Sequence, residues 1–168
     1  LRPRDRWVFG AALAGFAVSQ CASAEAWHRY RAQRFFGGQA MTVTTDPIAF
    51  ELFKNAIFSI ADEMALTVFR TTYSGVLKDN MDFSTGFADA DGRLAAQGLT
   101  LPGHLGSVPT AMQSIMRHFA DDIAPGDVFI MNDPFDGGMH LPDIFIFKPL
   151  YHQGERLAFA CTVCHHTD

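Results

Sequence analysis

Imidazole and carboxylate side chains gather at two places in this sequence. "HLPD" places His140 and Asp143 three residues apart, and "CHHTD" supplies His165, His166 and Asp168. Neutral imidazole and carboxylate oxygen suit a divalent ion such as Mn, Fe, Co or Zn, and three protein ligands leave positions open for water or substrate. His140 and Asp143 can bind one ion from a loop if its backbone is held. Pro142 restricts that backbone, while Gly137 and Gly138 permit a sharp turn and close approach. The competing reading makes Asp133, Asp136 and Asp143 turn residues and the histidines hydrogen-bonded neighbours.

A hairpin is what must bring the two groups together. The apolar runs "IFIFKPLY" and "ERLAFACTVCHH" flank "HQGE" (152–155), a tight-turn sequence. Counting outward from that turn sets Asp143 across from Val163 or Cys164, with His140 near His165 or His166. A slip of one residue exchanges which of His165 and His166 faces inward, and pattern alone leaves both open. The meeting of "HLPD" with "CHHTD" survives the slip.

The remaining elements support this hairpin. In "TTDPIAFELFKNAIFSIADEMALTVFRTT", Asp46 is a candidate N-cap and Pro47 occupies the first helical position. Ile48, Leu52, Ile57, Ile60, Met64 and Val68 recur at helical spacing, broadened by Phe53, Ala56 and Ala61, which predicts a long amphipathic helix to about Thr71. "STGFADADGRLAAQ" reads as strand, turn at Asp91-Gly92, and returning strand. "LPGHLGS" reads as a loop, with Ser107 capping a second helix over "VPTAMQSIMRHFAD". "GDVFIMND" is a further strand. The class is α+β: a long N-terminal helix and a second helix packed on a mainly antiparallel sheet.

These residues carry a family resemblance. "DPIAFELFKNAIFSIADEMALTVFRTTYSGVLKDNMDFSTGFADADGRLAAQG", "HLGSVPTAM", "GDVFIMNDPFDGGMHLPDI" and "HHTD" resemble, in order, the N-terminal part of the hydantoinase B/oxoprolinase family. That family includes B-type subunits of ATP-dependent hydantoinases, the corresponding half of 5-oxoprolinase and the large subunit of acetone carboxylase. The resemblance implies a manganese site at His140, Asp143 and His165. It also implies an A-type partner subunit that binds ATP, and a cyclic amide or ketone as substrate. Asp82 of "DFS", His104 of "HLGS", Asn132 and Asp133 also match family positions. His104 reads equally as a capping or core histidine and Asp82 as a turn cap, while His166 and Asp168 suit groups that orient the ligands. Met81 stands where many relatives carry a basic residue, and the cysteine-rich strand before "HH" is not a family feature. Members continue for several hundred residues beyond this point, so the chain corresponds to a truncated, N-terminal piece.

Composition excludes other classes. The 168 residues carry a net charge of −5 with no basic stripe, which disfavours nucleic acid or an anionic membrane as partner. No G-x-x-x-x-G-K loop occurs in the sequence, in keeping with ATP chemistry on a partner. Three cysteines are too few for a disulfide scaffold. "CTVCH" (161–165) matches the c-type haem attachment pattern, but it ends a strand-like run where attachment normally opens a helix. It also lacks the second C-x-x-C of a zinc ribbon. Residues 1–40 have no place in the family pattern. Their basic start, apolar run and "ASA" have the shape of a secretory signal, yet upstream sequence before a domain opening near Met41 is the preferred reading, with a cytoplasmic location.

Overall fold

A computed structural model of the protein describes residues 46–167. The expected boundary near Met41, the upstream segment and Asp168 lie outside these residues. The chain divides into two compact units between Ala56 and Ile57, and everything bearing on the site below lies in the second.

Helix α1 (Pro47–Thr71) begins where the cap chemistry places it: Asp46 Oδ1 accepts from the Ile48 amide at 3.0 Å. Its buried line differs from the expected stripe. Ile57, Ala61 and Ala65 are the buried positions, Ile60, Met64 and Val68 are half-buried, and Ile48 and Leu52 are exposed. Close approach explains the shift within the second unit. The Ala61 carbonyl accepts from Thr85 Oγ1 at 2.8 Å, and a Cβ on Gly98 would stand 2.8 Å from that same carbonyl. Only small side chains fit along such a contact.

A short helix α2 (Gly75–Asp79), which the sequence pattern did not announce, leads into strand β1 (Phe83–Asp89) and β2 (Leu94–Gln97). The segment read as a loop forms a 3-10 helix, Pro102–Gly106, before helix α3 (Val108–Phe119). Ser107 does not use its hydroxyl as the expected cap acceptor. It donates to the His104 carbonyl at 2.7 Å, while its own carbonyl accepts from the Ala111 amide. Strands β3 (Phe129–Met131), β4 (Asp143–His152) and β5 (Glu155–His165) follow.

Among the described residues, the five strands form one antiparallel sheet in the order β2-β1-β5-β4-β3. Helix α3 lies on the face bearing Ala88, Phe145, Phe147, Phe159, Cys161 and Val163, and these residues make up the core with Val108, Met112 and Ile115. Burying each phenylalanine stabilises the fold by about 1.5–3 kcal/mol. That gain offsets the cost of a fully buried carboxylate, Asp143, at the end of the same face.

The β4–β5 hairpin forms as read, with Gln153 and Gly154 both at positive φ in a two-residue turn. Its register needs one correction. A bulge between Leu150 and Tyr151 adds a residue on β4, so Asp143 pairs with His165 rather than with Val163 or Cys164. Pro149 explains why the irregularity is tolerated there. β3 pairs only with Phe145–Phe147, so β4 is already an edge at Pro149, where a missing amide costs no ladder bond.

Candidate metal centre

The corrected register places Asp143 and His165 directly opposite one another, and therefore on one face of the sheet. Strand β1 extends that row, because the His165 amide donates to the Asp82 carbonyl at 3.1 Å. His140 arrives from the loop. The Asp143 amide donates to the His140 carbonyl at 2.9 Å, closing a turn that aims the imidazole at the carboxylate.

His140, Asp143 and His165 each offer one ligand atom, and these atoms all lie within 4.8 Å of one another. His140 Nδ1 contacts Asp143 Oδ2, and His165 Nδ1 stands 3.0 Å from Asp143 Oδ1. The two imidazoles stack, with centroids 5.0 Å apart and planes 22° from parallel. Asp143 is fully buried, whereas the His140 side chain is 53% exposed at the rim. A buried carboxylate sharing both its oxygens with imidazoles fits a divalent ion in donor type and in spacing. One edge is left open to solvent.

The loop that carries His140 is clamped from several sides. Asn132 Nδ2 donates to the Leu141 carbonyl at 2.8 Å, and Asp133 accepts from the Phe135 amide at 2.8 Å. A Cβ on Gly137, whose φ is 100°, would stand 2.8 Å from the Thr110 carbonyl, and one on Gly138 would stand 2.7 Å from the Asp133 carbonyl. Asp136 is held against α3 by Ser114 Oγ at 2.5 Å, Arg117 Nη2 at 2.8 Å and His118 Nε2 at 2.9 Å. The Ser114 hydrogen bond, with His118 and Arg117 beside it, keeps the Asp136 carboxyl below the ordinary carboxylate range. This clasp escaped the sequence reading, which left Asp136 as a turn residue. Ser114, Arg117 and His118 share one side of α3 at helical spacing, and that was the available signal.

The other expected residues separate. His104 is buried in the 3-10 helix, with Nε2 3.4 Å from Asp82 Oδ1 and 3.6 Å from Asp143 Oδ1. His166 leaves the sheet, donating its amide to the Pro142 carbonyl at 2.8 Å, and is exposed. Asp133 serves the loop turn. Cys161 and Cys164 project to opposite faces of β5, because they are three residues apart on a strand. Burial pushes their thiols up to about 12 and about 11 respectively. Neither arrangement suits a thioether-linked haem or a thiolate metal site.

With that geometry in place, the chain can be set beside known proteins. The family described as Hydantoinase B/oxoprolinase matches residues 46–168, and the chain belongs to it. The 5-oxoprolinase of Dictyostelium discoideum is 37% identical over 134 residues, which is 79% of this chain and 11% of that protein. Caprolactamase subunit beta of Pseudomonas jessenii is 35% identical over 125 residues, 74% of this chain and 22% of that subunit. Among solved structures, the ATP-dependent caprolactamase of Pseudomonas jessenii superposes with a TM-score of 0.64 at 29% identity, covering 74% of this chain and 22% of that one. Nucleotide-free acetone carboxylase gives 0.68 at 18% identity, covering 91% and 20%, and shows a shared fold. The chain thus spans about a tenth to a fifth of the length of these relatives. Among the described residues, no helix is long and apolar enough to cross a membrane.

Proposed function

We propose that this member of the hydantoinase B/oxoprolinase family contributes the divalent-metal centre of an ATP-dependent enzyme that opens cyclic amides, working in the cytoplasm with an A-type subunit that binds ATP. The observation that carries the reading is the convergence of His140, Asp143 and His165 from a loop and two strands onto one point. Manganese is the favoured ion, with zinc, iron and cobalt as competitors for the same donors. Such an ion would polarise a substrate carbonyl or phosphorylated oxygen.

The chain's own residues do the positioning. Asp143, buried and fixed by its place at the start of β4, anchors the group. His140 faces solvent, so the open side of the centre, and with it the entry for substrate, lies along its ring. Phe145 and Val163 sit behind Asp143 and keep water from that side. Relatives at 35–37% identity are named for amide-opening activities, whereas acetone carboxylase is matched at 18%, which favours a cyclic amide over a ketone.

Metal analysis of the purified protein tests the reading. One divalent ion per chain is expected after desalting, and Asp143→Ala should lose it. Equal metal content in the two proteins would sink the assignment. Assays with the ATP-binding subunit against 5-oxoproline, caprolactam and acetone then choose the substrate class.

A further inference from the structure

Hydrogen-bond accounting around His104 reaches beyond the three expected ligands. Ser84, fully buried on β1, has one hydroxyl hydrogen and two close partners: the Leu101 carbonyl at 2.5 Å and His104 Nδ1 at 3.1 Å. A carbonyl can only accept, so the hydroxyl hydrogen goes to Leu101. Ser84 Oγ must then accept from His104, which puts the ring hydrogen on Nδ1 and leaves a lone pair on Nε2. That lone pair points at two carboxylate oxygens, Asp82 Oδ1 at 3.4 Å and Asp143 Oδ1 at 3.6 Å. The His104 side chain is only 6% exposed, so water does not separate these groups.

Three electron-rich atoms facing one another in a buried corner repel unless a cation lies among them. The distances say which kind of contact this is. A charge-assisted N–H···O bond measures about 2.7–2.9 Å, well short of either separation. Donor atoms sharing one ion at about 2.0–2.2 Å each stand roughly 3–4 Å apart. Asp143 Oδ1 also serves His165 Nδ1, so the same oxygen already belongs to the expected centre.

We propose that His104 is a fourth protein ligand of the centre, through Nε2, and that Ser84 holds it in the ligating tautomer. This inference rests on the metal reading above. The donor set becomes three imidazoles and the Asp143 carboxylate, with Asp82 adding negative charge at the same corner. Ser84 acts as a positioning residue of the kind that fixes ring orientation in metal-binding histidines.

Pulsed EPR on the Mn(II)-loaded full chain counts imidazole nitrogens bound to the ion, and three are expected. His104→Gln should lower that count to two and weaken Mn(II) binding in competition titrations by about 10–100-fold. Ser84→Ala should keep three nitrogens and weaken binding less. Two nitrogens in the unaltered protein would overturn the proposal while leaving the His140–Asp143–His165 centre intact, and that result depends on no variant folding. Absence of bound Mn(II) from the unaltered protein would overturn both.

Discussion

Asp136 and Asp143 lie in the same loop region, and both meet histidines, but they are completed differently. Asp136 sits part-exposed on α3, where a hydroxyl, a guanidinium and an imidazole all donate to it. Its charge is answered within the chain. Asp143 is fully buried, and every ion-pair partner it has among the described residues is a histidine. No permanent cation stands beside it, although its core location makes an unanswered charge most expensive there. One aspartate therefore reads as a structural clasp and the other as a binding site. The difference lies in what each would gain from an added ion.

Substitution at the two aspartates should pull the roles apart most widely. Asp136→Ala is expected to keep the stoichiometric metal that Asp143→Ala loses, as read by elemental analysis after desalting. Loss of metal from both would erase the distinction. The next largest effect falls between them, at Gly137. Alanine there meets the Thr110 carbonyl and a positive φ, so Gly137→Ala should cost on the order of 1–3 kcal/mol in denaturant melts. Metal affinity should fall with it, because His140 rides on the displaced loop.

The smallest effect is a pH dependence at Asp136. Its folded-state carboxyl ionises at lower pH than the unfolded one, so its contribution is full above the unfolded value of about 3.9 and is lost as pH falls through the folded value. Calorimetric melting between about pH 5 and 2 should therefore drop less steeply for Asp136→Asn than for the unaltered protein. Identical slopes would show that the clasp contributes nothing to folding.

Much of the site was readable in the residues. The tight turn at "HQGE" and two apolar runs were enough to bring "HLPD" against "CHHTD". The choice between His165 and His166 was not, because it depends on the bulge at Leu150–Tyr151, a backbone irregularity that leaves no period in the sequence. The long helix was legible from its cap and length. Its buried line was not, since Ala61 and Ala65 are selected by the approach of Thr85 and Gly98, which hydropathy does not record. His104 stayed ambiguous between core and site for a related reason: it is both buried and aimed at Asp143, and only the partner of its other nitrogen tells the roles apart.

The bulge in β4 also makes the hairpin a ruler for ligand chemistry. Removing its extra residue would slide β4 by one place and set Cys164, not His165, opposite Asp143. A sulfur donor in place of an imidazole nitrogen favours softer ions over manganese. A single-residue length change, about eight residues from the site and exchanging no ligand codon, would thus rewrite which metal the fold selects.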